Sequence, residues 1–225
     1  MKKHGYLGLI KSSDFIDGER LAKTINLTKG RLINSTSEWL HFILEGEEVL
    51  VPMGCFRVHV SWDYLYSLGV VYSDTEGSGP GHSRLCHPRD QNVFIDIAGD
   101  RYKVTLLKGL NNVTPREFPT DLSEWNRLMY RVHNGVWGEF SEEELGNEDR
   151  AFIGDCIYGS WCQEYVPMAV SSESIENGGI KKGTCSTMIG GNPVAIVRGE
   201  KKITNLTKSA SNVSWHCWRP ALRKI

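Results

Sequence analysis

The chain has 225 residues, a formal net charge of −1, 40% hydrophobic and 24% charged residues, the make-up of an ordinary globular protein with a substantial core. The balanced charge argues against nucleic acid or an anionic membrane surface as a partner, and no apolar run approaches the roughly 20 residues of a membrane-spanning helix. Twenty-three Gly against 8 Pro, with 7 Trp, 8 Tyr and 7 Phe, point to a strand-rich, loop-rich chain.

Met1-Lys-Lys-His-Gly-Tyr6 lacks the hydrophobic stretch of a secretory signal, so synthesis in a cytosol is expected. The sequons at Asn26, Asn34, Asn112, Asn205 and Asn212 are then chance occurrences. The cysteines at 55, 86, 156, 162, 185 and 217 form no Cys-x-x-Cys pair. That spacing matches neither a zinc module nor a dithiol redox motif; small buried residues kept reduced are the favoured reading, with bridges formed after release from a reducing cell left open.

Ser12-Ser13-Asp14 and Asp17 offer helix starts, and Leu21, Ala22 and Ile25 share a stripe, which predicts a short helix ending near Thr24 or Asn26. Apolar runs over 39–44 and 48–52 flank Glu45-Gly46, the signature of a β-hairpin. Ser61 can cap a helix that buries Trp62, Leu65 and Leu68 and stops at Gly69, after which Val70-Val71-Tyr72 reads as a strand. The glycines and prolines of 73–92 forbid regular structure and predict a long loop. A second hairpin follows, 93–97 and 101–107 around Ala98-Gly99.

Residues 121–133 carry the clearest helical pattern. Leu122, Trp125, Leu128, Met129 and Val132 fall on one face, Asp121 and Glu124 have capping-box spacing, and Gly135 supplies the stop. A second capped segment is expected from Ser141, its acidic first turn suited to a helix dipole. From Ala151 onwards no helix is expected; short strands such as Val194–Val197 alternate with glycines, ending in Trp215-His-Cys-Trp-Arg-Pro-Ala-Leu222.

Gly159-Ser-Trp-Cys-Gln-Glu-Tyr165 places a thiol, an amide and a carboxylate side by side. A cysteine nucleophile needs a base across the fold, and strand neighbours point to opposite faces. Glu164 could share a face with Cys162; His133 and His216 are the bases left by elimination. The stretch reads better as a packed strand in which Cys162 is a compact neighbour and Trp161 packs on Trp215 or Trp218. His82, Cys86 and His87 form a single cluster, short of the four ligands of a structural zinc site. No phosphate-binding loop, dinucleotide fingerprint, serine elbow or His-Glu-x-x-His motif is present, so no enzyme chemistry, cofactor or metal is indicated.

Several stretches taken together resemble virion structural proteins of tailed bacteriophages. They are Ser13-Asp-Phe-Ile16, Val58-His-Val-Ser-Trp-Asp-Tyr-Leu-Tyr-Ser-Leu-Gly-Val-Val-Tyr72, Ile97-Ala-Gly-Asp-Arg-Tyr-Lys-Val-Thr-Leu-Leu-Lys-Gly109, Ser123-Glu-Trp-Asn-Arg-Leu-Met-Tyr130, Gly159-Ser-Trp-Cys-Gln-Glu164 and Trp218-Arg-Pro-Ala-Leu222. The early Gly-Ser-Trp and the last Trp-Arg-Pro-x-Leu strand are also similar to the C-type-lectin-like fold of formylglycine-generating enzymes, whose catalytic cysteines have no counterparts here. The chain departs from the phage pattern at Ser73, where glycine is usual.

The resemblance implies an α+β protein: an N-terminal helix and β-hairpin region over 1–57, then a C-type-lectin-like module of short antiparallel strands over 58–225. Its structural anchors would be Trp62, Trp125, Trp161, Cys162, Trp215, Trp218, Arg219 and Pro220. The implied role is non-catalytic assembly with other virion proteins at the tail, fibre attachment, collar or neck, as a homo-oligomer such as a trimer or ring. The implied location is the virion, after synthesis in the bacterial host cytoplasm. The alternative is a receptor-binding protein holding a host-surface glycan in the loops of 170–191.

Overall fold

Asp17 accepts a hydrogen bond from Arg20 N and so opens helix α1, Gly18–Thr24, which buries Leu21 and Ala22. A computed structural model describes residues 5–73, 90–109, 123–136, 145–154, 158–165, 188–189, 192–203 and 205–225. In chain order the other elements are strands β1 Gly5–Ile10, β2 Arg31–Leu32, β3 Trp39–Leu44, β4 Glu47–Pro52 and β5 Arg57–Val58, then helix α2 Trp62–Leu68. Strands β6 Phe94–Ile97 and β7 Asp100–Thr105 lead to a π-helical turn, Asn126–Tyr130, continued by α3 Arg131–His133, and to α4 Asn147–Gly154. The last third holds β8 Ser160–Tyr165, β9 Met188–Ile189, β10 Asn192–Arg198, β11 Leu206–Ala210, β12 Cys217–Trp218 and β13 Ala221–Lys224. The fold is α+β.

Both expected hairpins form. Their tips place Glu45 and Ala98 at φ 58° and 53°, each followed by a glycine at φ 92°, which matches the right-handed twist of the flanking strands. Helix α2 has the expected cap: Ser61 accepts from Tyr64 N, and Gly69 at φ 82° ends it, in a left-handed conformation that a side chain would strain. Val70-Val71-Tyr72 is buried but is not a strand. Its hydrogen bonds go instead to the preceding helix and to Gln91, with Val70 N–H donating to Leu65 O and Val71 N–H to Gln91 Oε1. The second hairpin ends at Thr105, because Leu106 turns its N–H to Val71 O.

The helix expected over 121–133 is helical from Glu124. Its cap is Ser123, whose Oγ accepts from Asn126 N at 3.2 Å, and the Glu124 carboxylate is used elsewhere, as described below. Asp121, Leu122 and the segment beginning at Ser141 lie outside the described residues. Helix α4 carries helical structure to Gly154, into the stretch expected to have none.

One sheet runs β1-β3-β4-β13-β7-β6 and the other β11-β10-β8-β12-β5-β2, with β9 paired to β10. Strand alternation divides the first sheet between two cores. Trp39, Leu50, Tyr102, Val104 and Leu222 face a core shared with α1, α2, Trp161 and Trp218. Leu40, Phe42, Val49, Val51 and Ala221 face a second core shared with Trp125, Leu128, Met129, Val132 and Cys162.

The chain passes between the sheets twice at one corner, from β4 to β5 and from β12 to β13. Arg219-Pro220 makes the second passage, and a proline, having no N–H, suits a point where a ladder ends. Phe56 N–H donates to Trp218 O at 3.0 Å across the corner. The division expected between residues 57 and 58 therefore falls at this corner, and strands from both sides of it share both sheets.

Candidate functional site

Strand β8 lies at the centre of the second sheet, between β10 and β12. It enters at Gly159, where a Cβ would stand 2.4 Å from Val197 Cγ1 and 3.0 Å from Glu200 Cβ, so β10 can approach only a glycine this closely. Alternation then sends Trp161 into one core and Cys162 into the other. Trp161 Nε1 donates to Val60 O at 2.7 Å, and its ring meets the edge of His216, centroid to centroid 4.7 Å. Trp218 lies in the same core, and β8 pairs with β12 through Ser160 and Cys217.

Cys162 keeps its thiol, fully buried, with Sγ 3.8 Å from Ser160 O. Its carbonyl accepts from Trp62 Nε1 at 2.9 Å. His216 stands against Trp161, on the opposite face of β8 from the Cys162 side chain. Burial lowers the His216 pKa from its ordinary value, against the opposing pull of the Glu200 charge. His133 Nδ1 donates to Arg150 O at 2.7 Å, which ties α3 to α4.

Gln163 is a stitch between the sheets: its N–H donates to Leu107 O at 3.1 Å, its side-chain amide to Leu106 O, and its Oε1 accepts from Ser73 Oγ at 3.4 Å. The side chain of Glu164 lies outside the described residues, as do His82, Cys86, His87 and all of 170–191 except Met188 and Ile189. Among the described residues no group of three or more His, Cys, Asp or Glu is arranged to hold a metal ion, and no helix is long and apolar enough to cross a membrane.

Trp62, Trp125, Trp161, Trp218, Arg219 and Pro220 are buried where anchors were expected. Trp62 stacks on Tyr66 at 5.4 Å; Trp125 Nε1 donates to Ile203 O at 3.0 Å, and the Arg219 guanidinium lies 5.6 Å over the Trp125 ring. Trp215 is the exception. It is 73% exposed, so it is no part of the buried core among the described residues, and Trp161 meets His216 in its place. The physical reason is local: Ser214 O is bound by His59 Nδ1 at 3.2 Å and His216 O by Val60 N at 3.4 Å, which fixes the backbone with residue 215 turned outwards.

Two polar arrangements escaped the sequence reading. Cys55 and Cys217 are joined by a disulfide, the alternative to reduced cysteines that the sequence left open. They stand 162 residues apart in sequence, so no spacing rule could pair them. Glu124 Oε2 receives Arg223 NH2 at 2.6 Å and Lys108 N at 2.8 Å, while Arg223 Nε donates to Thr105 Oγ1 at 3.3 Å. A lone glutamate beside Trp125 gave no sequence signal beyond capping.

The described site offers a rigid frame, an outward-facing indole and a bridged corner. Comparison with protein-family models, with curated proteins and with solved structures returned no match.

Proposed function

We propose that this chain is a structural component of a tailed-bacteriophage virion, at the tail, fibre attachment, collar or neck, working by non-covalent assembly. Its C-terminal part is read as a C-type-lectin-like module. The observation that carries the reading is Trp215. An indole buries on the order of 200 Å2 when fully covered, worth about 5 kcal/mol at 25 cal/mol per Å2. At 73% exposure this ring leaves roughly 150 Å2 in water and forgoes about 3–4 kcal/mol that a neighbouring subunit can supply.

Fixed backbone on both sides lowers the entropy lost on docking, and tryptophan is among the residues most often found carrying interface energy. The buried aromatic frame supports the same reading, since the indole N–H groups of Trp62, Trp125 and Trp161 are all committed to internal carbonyls. An exposed indole can also stack on a sugar ring, so a host-surface glycan is the second reading.

Cross-linking mass spectrometry on purified particles tests the proposal. The chain should be present and linked to other virion proteins or to its own copies, and Trp215→Ala should reduce its incorporation at least tenfold while leaving the isolated chain folded. Absence from purified virions would overturn the assembly reading. Retention on host cell-wall polysaccharide, lost in Trp215→Ala with incorporation intact, would favour the glycan.

A further inference from the structure

The corner where the chain twice changes sheets holds a buried group of three side chains. Cys55 and Cys217 are 1% and 0% exposed and joined by a disulfide. Ser160, 1% exposed, has its Oγ 3.4 Å from Cys55 Sγ and 3.6 Å from Cys217 Sγ. The β8–β12 register sets Ser160 opposite Cys217, and Ile33, Val58 and Tyr158 close around the group.

A serine hydroxyl carries one donor and two acceptor lone pairs. Against a disulfide it can only donate; against two thiols it can accept from both. The corner is held by other bonds as well: Cys217 N–H donates to Gly159 O at 3.0 Å, Phe56 N–H to Trp218 O at 3.0 Å, and β5 pairs with β12 at Val58–Cys217 and Arg57–Trp218. Opening the bridge therefore leaves two thiols side by side on a backbone that stays paired, with a hydrogen-bond acceptor already between them.

We propose that Cys55–Cys217 is a reversible redox staple, and that Ser160 is the positioning residue that keeps its dithiol state folded. The oxidant is a low-molecular-mass disulfide such as oxidised glutathione. The thiolate of one cysteine attacks it, forming a mixed disulfide and releasing one glutathione thiol. The second cysteine thiolate then attacks the protein-side sulfur of the mixed disulfide and expels the second. Two protein S–H bonds are lost, one S–S bond forms, and one glutathione disulfide becomes two thiols. Because both sulfurs are buried, each exchange step follows local opening of the corner.

The test equilibrates the purified full chain in anaerobic glutathione buffers of graded ratio, traps thiols by alkylation, and quantifies the Cys55 and Cys217 peptides by mass spectrometry. Both cysteines should change together in one two-electron transition, with near-UV circular dichroism retained on reduction. Ser160→Ala removes the acceptor that the thiols use, so the dithiol–disulfide constant should move towards the disulfide by roughly fivefold, about 20 mV at 29.6 mV per tenfold.

An unchanged or opposite constant in Ser160→Ala would overturn the role of the serine. Independent labelling of the two cysteines, or loss of the near-UV signal in the reduced wild type, would overturn the switch. Should Ser160→Ala not fold, Ser160→Gly is measured in the same way, and the two wild-type readouts still decide the switch.

Discussion

Replacing Glu124 by alanine should be among the most damaging changes of a single polar residue in this chain. Its carboxylate is the partner of Arg223, 2.6 Å away, and the two side chains retain 11% and 9% exposure. The substitution leaves the guanidinium with Thr105 Oγ1 at 3.3 Å and Glu47 at 3.7 Å, and Glu47 is 65% exposed and so a weak replacement. It also strips Lys108 N–H of its acceptor.

Removing one member of a buried pair typically costs about 3–5 kcal/mol, and the residual access of Arg223 to Glu47 argues for the lower end, about 3 kcal/mol. For a chain of this length that corresponds to a fall in Tm of roughly 6–12 °C. Urea denaturation at pH 7 should show the loss as a lower midpoint with an unchanged slope. The double variant Glu124→Leu/Arg223→Met should recover much of it, since no charge is then left buried. A single-variant cost below about 1 kcal/mol, or a double-mutant cycle additive within about 0.5 kcal/mol, would refute the reasoning.

Three further outcomes follow from individual residues. Ala98 is exposed at φ 53°, a left-handed conformation that costs a side chain about 1 kcal/mol, so Ala98→Asn should stabilise the chain by about 0.5–1 kcal/mol in the same urea assay. Gly159→Ala should cost about 1–3 kcal/mol, because its methyl would meet Val197 Cγ1 at 2.4 Å; an unaffected midpoint would mean β8 and β10 are not so closely apposed. His216 has a pKa depressed by burial, so the unfolded chain binds the proton more readily. Its contribution is fully present above the unfolded value near 6.5 and is lost as pH falls through the folded value. Stability measured from pH 7.5 down to 5 should therefore fall more steeply in wild type than in His216→Phe; parallel curves would count against a buried neutral imidazole.

Local signals carried the elements whose hydrogen bonds are local. Asp17 and Ser61 cap their helices, Gly69 ends one, and the glycines after Glu45 and Ala98 turn two hairpins, because each of these acts within four residues of itself. Apolar type also fixed burial for Trp62, Trp125, Trp161 and Trp218, whose large rings have few places in water. The failures share a different cause. Val70–Tyr72 has strand composition, but Val70 and Val71 give their N–H groups to Leu65 and Gln91, and Trp215 has core composition but is turned outwards by bonds its neighbours make to His59 and Val60.

The sequence by itself determined where α1 and α2 are capped, where the two hairpins turn, and that Trp62, Trp125, Trp161 and Trp218 leave water. Only the tertiary structure decided that Cys55 meets Cys217 beside Ser160, that Glu124 meets Arg223, and that β8 separates Trp161 from Cys162 into two cores. Each of these depends on which distant segments the fold brings together. That choice minimises the exposed surface of the whole fold and is written in no window of residues along the chain.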